Sequence, residues 1–204
     1  MHVVCSDLEG IFTPEIWIEF AEKTGIPELR LTTRDIADYD ELMRGRLAIL
    51  NERGFTLQDI QEVVATMEPL EGAVEFLDWL RSEVQVIIVS DTYEEFAKPL
   101  MAKLKWPTLL CHDLTIAPDG AIRTYNLRQR NSKQKALLAF KGLNYKTIGI
   151  GDSYNDIDML LKADRPILFR PPANVVTEFP QLPVCTGYGE LRRLITEILH
   201  GSPA

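Results

Sequence analysis

The sequence is poor in cysteine and in long apolar runs, and each scarcity narrows the class of protein. Its three cysteines, Cys5, Cys111 and Cys185, form no C-x-x-C pair, which argues against a disulfide scaffold or a zinc site and favours reduced thiols in the cytoplasm. The apolar run 86–89 is far shorter than the roughly 20 residues of a membrane helix. The N-terminus lacks a basic segment followed by a long apolar one, so we expect no signal peptide, anchor or membrane partner.

Positive charge is also in deficit. Lysine and arginine number 22 against 30 aspartates and glutamates, a formal net charge of −8. This balance argues against a nucleic-acid partner and requires any anionic ligand to meet local positive charge. With 204 residues, 46% of them hydrophobic, the chain can bury a full core as one domain with a smaller insert. The oligomeric state stays open.

Short apolar runs alternate with helical patterns along most of the chain. The runs cover residues 3–5, 84–89, 147–150, 167–169 and 184–185, and their alternation with helices predicts an α/β fold with a doubly wound parallel sheet. Residues 86–89 are β-branched without polar alternation, which is typical of a strand buried on both faces. We therefore expect a central strand there.

About sixty residues after the first strand contain only helical patterns, at 16–22, 38–53 and 57–67, with a capping box at Thr56 and Asp59. An ordinary connection between a strand and a helix is much shorter. We predict a helical cap over residues 14–70, placed above the carboxyl edge of a core formed by residues 1–13 and 71–204. A β-hairpin insert is predicted at 114–127, around the turn Pro118-Asp119-Gly120.

Acidic and amide side chains follow two of the predicted strands. Asp7 and Glu9 come after the first strand, and Asp152, Asn155 and Asp156 follow the run 147–150. Either group alone is also typical of a solvated turn or a helix cap. Several oxygen ligands at one strand end of an acidic protein nevertheless favour a bound Mg²⁺.

Two further segments could hold an anion. Ser90, Asp91 and Thr92 follow the run 84–89, where a hydroxyl and backbone N–H groups at a helix start would form a phosphate-sized site. Lys133 falls in the first turn of a predicted helix over 135–140, where a lysine opposes the helix dipole unless an anion lies nearby. Taken singly, these residues are better explained by a helix cap and a solvated lysine than by a bound anion.

In combination, these four motifs resemble those of the haloacid dehalogenase superfamily in identity and chain order. The segment 39–50 and Glu15 further resemble the cap of its phosphoserine phosphatase family, whose bacterial bifunctional members also transfer phosphate to homoserine. Glu9 departs from the usual first motif, which has aspartate at both acidic positions. The resemblance implies a Rossmann-like core, a Mg²⁺ cofactor and O-phosphoserine as substrate, with homoserine as an acceptor, in cytoplasmic serine and threonine biosynthesis.

The resemblance also implies roles for individual residues. Asp7 is the expected nucleophile and Glu9 the acid and base; Asp7, Glu9 and Asp152 are the expected metal residues, and Asp156 orients the water around the metal. The expected substrate-binding residues are Glu15, Arg46, Ser90, Asp91, Lys133 and Asn155.

Helix geometry supports a special place for Arg46. Seven residues at about 100° each bring it back to within about 20° of Tyr39, inside an apolar stripe, while Arg44 points outward. A guanidinium there must find an anionic ligand or an internal ion pair. Trp17 and Phe20 are interpreted as ordinary packing, and no role is assigned to the histidines, which are His2, His112 and His200.

Two other functions remain open on the sequence alone. A phosphatase of the same superfamily acting on a sugar or nucleotide phosphate would share the four motifs without preferring amino-acid head groups. A receiver-type signalling module also combines a doubly wound sheet with acidic residues and a lysine. The long helical insert argues against such a signalling module, which does not need one.

Overall fold

Apolar, β-branched segments of the chain form a single sheet in the computed structural model, which describes residues 1–32, 35–36 and 38–201. Within these residues the strands are β1 (His2–Ser6), β2 (Gln85–Tyr93), β3 (Leu109–Ile116), β4 (Ile122–Asn126), β5 (Lys146–Gly151), β6 (Arg165–Phe169) and β7 (Val184–Cys185). Their order is β4-β3-β2-β1-β5-β6-β7. All neighbours pair in parallel except β3 and β4, which pair antiparallel.

The helices surround this sheet. They are α1 (Ile16–Thr24), α2 (Tyr39–Arg53), α3 (Leu57–Thr66), α4 (Ala73–Glu83), α5 (Glu94–Lys103), α6 (Ser132–Gly142), α7 (Ile157–Leu160), α8 (Ala173–Glu178) and α9 (Tyr188–His200). Short 3-10 turns cover Pro27–Arg30 and Tyr154–Asp156. Among the residues described, no helix has both the length and the apolar composition needed to cross a bilayer.

Hydrophobic side chains pack on both faces of the sheet. Consecutive strand residues point to opposite faces, and Val4 and Cys5 of β1 accordingly belong to two separate clusters. Helices α4, α5 and α9 pack on the Val4 side and α6, α7 and α8 on the Cys5 side. The predicted α/β fold with a doubly wound, mostly parallel sheet is confirmed.

Helices α1 to α3 occupy the segment predicted as the cap, and we call them the cap helices. The capping box at the start of α3 is present, since Thr56 accepts from the Asp59 N–H and the Asp59 carboxylate accepts from the Thr56 N–H. The predicted hairpin segment contains β4 and the end of β3. The domain boundaries remain a prediction, and residues 33–34, 37 and 202–204 of the predicted segments lie outside the described residues.

The central strand expected at 86–89 is present as β2, which is internal and lies between β1 and β3. One local expectation was wrong. Ser90 to Thr92 lie inside β2 and not at a helix start, because the β2–β3 register shifts after Val89 and pairing resumes at Tyr93.

Candidate active site

Acidic residues converge where β1 and β5 end. The Asp7 N–H donates to the Ile150 carbonyl at 2.9 Å, which continues the pairing of these strands past the end of β1. One carboxylate oxygen from each of Asp7, Asp152 and Asp156 lies within 4.8 Å of the other two. Two segments far apart in the sequence therefore form one acidic cluster, as expected at the carboxyl edge of a parallel sheet.

Two glycines allow this close approach. Gly10 has a φ of +76°, and a Cβ there would lie 2.6 Å from the Asp152 carboxyl carbon. A Cβ at Gly151 would lie 2.3 Å from the Cβ of Asp156. Larger residues at these two positions would force the acidic side chains apart, so the glycines define the spacing of the cluster.

Lys133 is the cation at the centre of the cluster. Its Nζ lies 2.8 Å from Asp7 Oδ2 and 2.8 Å from Asp156 Oδ1, and the residue is only 3% exposed. Burial alone would lower the pKa of this ammonium, but the carboxylates of Asp156 and Asp7 raise it well above its usual value. Lys133 is therefore a fixed positive charge beside Asp7.

One lysine does not neutralise the whole cluster. Burial and the neighbouring Asp156 raise the pKa of Asp7 well above its usual value and that of Asp152 to about 7. Carboxyl groups whose charge is this unfavourable are stabilised by a further cation. The donor set, carboxylate oxygens only, suits a hard divalent ion.

Asp156 replaces Glu9 in this acidic cluster. The sequence predicted Asp7, Glu9 and Asp152 as the metal residues, with Asp156 outside them. Asp156 lies in the cluster, although its Oδ2 accepts the N–H groups of Asp152 at 2.9 Å and Ser153 at 3.2 Å. Asp156 thus shapes the loop after β5 as well as adding charge.

Glu9 turns toward the cap helices. Its Oε2 accepts the Ile16 N–H at 3.0 Å, at the start of α1. Burial, together with the charge of Glu15 and a hydrogen bond to it, raises the pKa of Glu9 to about 8. A carboxyl group in this state can both give and take a proton near neutral pH.

A small cavity of about 140 Å³ opens between these groups and the cap helices. The cap contributes Arg46 of α2 and Trp17 of α1, and Glu15 lies directly before α1. The core contributes Asp7 and Lys133. Of the predicted catalytic, metal and substrate residues, those that line this cavity are Asp7, Glu9, Glu15, Arg46, Ser90, Asp91, Lys133 and Asn155.

Arg46 is buried on the inner face of α2, as predicted, with 7% of its surface exposed. Its guanidinium lies 4.4 Å from the ring centre of Trp17, and one Nη donates to the Leu31 carbonyl at 2.6 Å. No carboxylate of the described residues pairs with it within 4 Å, and its Nε has no partner among them. The alternative of an internal ion pair is therefore wrong.

Two contributors were missed by sequence reasoning. Trp17, interpreted as packing, lines the cavity and stacks on Arg46. His112, given no role, is 4% exposed and lies 3.5 Å from Asp91. An aromatic residue two positions after Glu15 could have indicated the first, whereas nothing in the sequence connects His112 with Asp91.

Most of the chain matches one protein family. Residues 8–161 match the family described as haloacid dehalogenase-like hydrolase. The chain belongs to the haloacid dehalogenase-like hydrolases. The family assignment suggested by the four sequence motifs is thereby confirmed.

Curated relatives within this family are close in sequence. The chain is 56% identical over 193 residues to a protein of Pseudomonas aeruginosa named phosphoserine phosphatase ThrH, covering 95% of this chain and 94% of that one. It is 55% identical over 193 residues to a phosphoserine phosphatase of Pseudomonas syringae pv. tomato, covering 95% and 81% of the two chains.

Solved structures of haloacid dehalogenase-like hydrolases share the fold. A phosphoserine phosphatase in apo form superposes with a TM-score of 0.75 at 20% identity and covers 96% of this chain and 98% of that one. A phospho-aspartyl intermediate analogue of a phosphoserine phosphatase superposes with a TM-score of 0.76 at 18% identity, covering 96% and 97%. At these identities the likeness concerns the fold alone.

Proposed function

We propose that this protein is a magnesium-dependent phosphoserine phosphatase that works through an aspartyl-phosphate intermediate. One observation carries the proposal: a single small cavity is lined both by Asp7, which is paired with Lys133, and by Arg46 and Glu15. The first pair suits a phosphoryl group and the second an amino-acid head group. The names of the two curated relatives support the same activity.

Asp7 supplies the nucleophile. Its carboxylate oxygen forms a bond to phosphorus as the bond from phosphorus to the serine oxygen breaks, and the departing oxygen takes a proton from Glu9. Water then attacks the phosphorus of the aspartyl-phosphate and gives a proton to Glu9, and the bond between phosphorus and the Asp7 oxygen breaks, which releases inorganic phosphate and restores the Asp7 carboxylate. The raised pKa of Glu9, about 8, suits a residue that must change protonation state in each half of the cycle.

Lys133 and Ser90 are placed to hold the phosphoryl oxygens. Both line the cavity and both are buried, with 3% and 2% of their surface exposed. Asn155 lines the same cavity and can add an amide donor. Donors fixed before the substrate arrives stabilise charge that develops in the transition state.

The acidic cluster fits Mg²⁺. Asp7 and Asp152 would hold the ion, with Asp156 beside them, and the raised pKa values of Asp7 and Asp152, which burial and Asp156 cause, support a further cation at this site. When bound, Mg²⁺ offsets the repulsion between the carboxylates and the anionic phosphoryl group.

Arg46 and Glu15 would recognise the rest of the substrate. The buried guanidinium has an unused Nε donor, which suits a carboxylate. Glu15 lies at the start of α1, near Glu9, and supplies negative charge for an ammonium group. Phosphoserine carries both groups, whereas a sugar phosphate carries neither.

The same head-group site would accept homoserine, and this second activity is part of the proposal. The cap is held down on the core, since Tyr39 and Tyr93 share a hydrogen bond of 2.8 Å between their hydroxyls and Tyr125 donates to Asp40 at 2.6 Å. A closed cap limits water at the aspartyl-phosphate and so favours attack by a bound alcohol. Phosphohomoserine formed from phosphoserine and homoserine would demonstrate the transfer; hydrolysis without that product contradicts it.

A panel of phosphomonoesters tests the phosphatase directly. Wild type should release phosphate from O-phosphoserine over many turnovers with Mg²⁺ and prefer it to sugar and nucleotide phosphates. Asp7→Asn should lower kcat by about 10³-fold or more because the nucleophile is lost. Asp119→Asn, in the exposed turn between β3 and β4, is the matched control and should retain wild-type kcat.

Two results would contradict the proposal. A preference for a sugar or nucleotide phosphate would favour the hypothesis of a different phosphatase of the same superfamily. A single turnover that ends in stable phospho-aspartate would favour the hypothesis of a receiver-type signalling module.

The cysteines are free thiols, which supports the expected cytoplasmic location.

A further inference from the structure

His112 is a buried histidine on the strand next to β2, which carries Ser90 and Asp91 of the cavity. It lies on β3, opposite Tyr93 of β2, and is 4% exposed. The proposed reaction does not use it. A polar ring in such a place needs partners for both nitrogens.

The two nitrogens of the ring have different partners. The backbone N–H of Arg128 donates to Nδ1 at 3.1 Å. A nitrogen that accepts a hydrogen bond carries no proton, so the ring holds its proton on Nε2. Nε2 lies 3.5 Å from Asp91 Oδ1, so the N–H of the ring faces the Asp91 carboxylate.

The Asp91 carboxylate in turn accepts hydrogen bonds from two other segments of the chain. The Ser132 hydroxyl donates to Oδ1 at 3.1 Å, and the Asn155 amide donates to Oδ2 at 3.4 Å. Lys133 Nζ lies 3.8 Å from Oδ2. Burial alone would raise the pKa of Asp91, but Lys133, His112 and Ser132 lower it below its usual range.

A carboxylate beside a phosphoryl group repels it, so Asp91 is poorly suited to bind phosphate itself. Its contacts suit a different task. It joins the start of α6, which carries Lys133, to the loop after β5, which carries Asn155.

From this geometry we propose that His112 is a positioning residue for phosphoryl transfer. It fixes the Asp91 carboxylate, and Asp91 fixes the donors of Lys133 and Asn155 that face the phosphoryl oxygens. This proposal rests on the proposed phosphatase function. Because the donors act on charge that grows in the transition state, loss of the His112 contact should lower kcat and leave KM nearly unchanged.

Two amide variants separate the ring nitrogens. His112→Gln carries an amide nitrogen that reaches the place of Nε2 and can still donate to Asp91. His112→Asn carries an amide oxygen near the place of Nδ1, so it serves the Arg128 N–H and loses the donor to Asp91. We expect kcat for O-phosphoserine to fall about tenfold in His112→Asn and to stay within about threefold of wild type in His112→Gln. Equal kcat values in the two variants would overturn the proposal.

A double-mutant cycle with Asp91→Asn tests the route of the effect. If His112 acts through Asp91, adding His112→Asn to Asp91→Asn should change kcat less than about twofold. A tenfold loss in both backgrounds would overturn the proposal. Thr147→Val, a buried substitution at the far end of β5, controls for general destabilisation: it should lower Tm and leave kcat intact.

The wild-type protein offers a test that needs no variant. The 15N chemical shifts of the His112 ring should show the proton on Nε2, and a proton on Nδ1 would overturn the proposal. Failure of the proposed function is a separate result, since it would appear as wild type releasing no phosphate from O-phosphoserine.

Discussion

Replacing Arg46 by lysine should damage recognition of phosphoserine although the positive charge is kept. The guanidinium is buried in the cavity wall, stacked on Trp17 at 4.4 Å, and its Nε is unpaired among the described residues. Guanidinium can meet a carboxylate through two parallel N–H groups, whereas an ammonium makes a single point contact. The substitution therefore removes one charge-assisted hydrogen bond to the substrate carboxylate.

The burial of Arg46 sets the size of the expected loss in kcat/KM. A hydrogen bond to a charged group contributes about 1.5–3 kcal/mol, and burial of Arg46, which is 7% exposed, places the lost bond toward the strong end. At about 1.4 kcal/mol per factor of ten, kcat/KM for phosphoserine should fall roughly 10- to 150-fold. The loss should appear mainly in KM if the carboxylate is held equally in the ground state and the transition state.

The assay compares two esters. O-phosphoserine carries a carboxylate, and phosphoethanolamine lacks it but keeps the ammonium and the phosphate. The Arg46→Lys variant should lose kcat/KM only for phosphoserine. Arg44→Lys, two residues away on the exposed face of α2, is the matched control and should stay within about twofold of wild type for both esters. An equal loss for both esters, or none for phosphoserine, would refute the role of Arg46.

Two further predictions concern the metal site and stability. Gly10→Ala would place a Cβ 2.6 Å from the Asp152 carboxyl carbon and displace that carboxyl group. The Mg²⁺ concentration for half-maximal activity should therefore rise at least about tenfold. Gly54→Ala is the control, since Gly54 also has a positive φ but a Cβ there would have nothing within 4 Å, and it should leave that concentration unchanged. Burial raises the pKa of Asp164, but Lys141 and hydrogen bonds from the backbone N–H and the hydroxyl of Thr147 lower it to about 2. This stabilisation is complete above the unfolded pKa of about 3.9 and is lost as pH falls through 2. Asp164→Asn should therefore lower the free energy of unfolding by about 1 kcal/mol at pH 7, a figure reduced because solvent screens this partly exposed pair, and by less at pH 3. Urea unfolding of wild type and variant measures this, and an equal loss of stability at pH 7 and pH 3 would contradict it.

Much of the fold could be predicted because its signals are local. The apolar runs, the capping box at Thr56 and the inward place of Arg46 follow from periods of two and 3.6 residues, which neighbouring residues set among themselves. These features hold in the structure. The grouping of Asp7 with Asp152 also followed, since parallel strands present their carboxyl ends at one edge.

The failures share one cause, which is dependence on a neighbour distant in sequence. Strand β2 runs on through Thr92 because β3 resumes pairing at His112. Trp17 faces the cavity because Arg46 of another helix stacks on it. No periodicity in the chain records such partners.

The sequence by itself determined which chemistry is available: an acidic nucleophile, a second acid, a hydroxyl, a lysine and a cap arginine, in an order that marks the family. Tertiary structure alone decided the electrostatic state and the contacts of these groups. It buried Lys133 between carboxylates, turned Glu9 toward Glu15 and set His112 beside Asp91. The physical reason is that burial and Coulomb energies depend on distance in space, which residue identity and spacing along the chain do not specify.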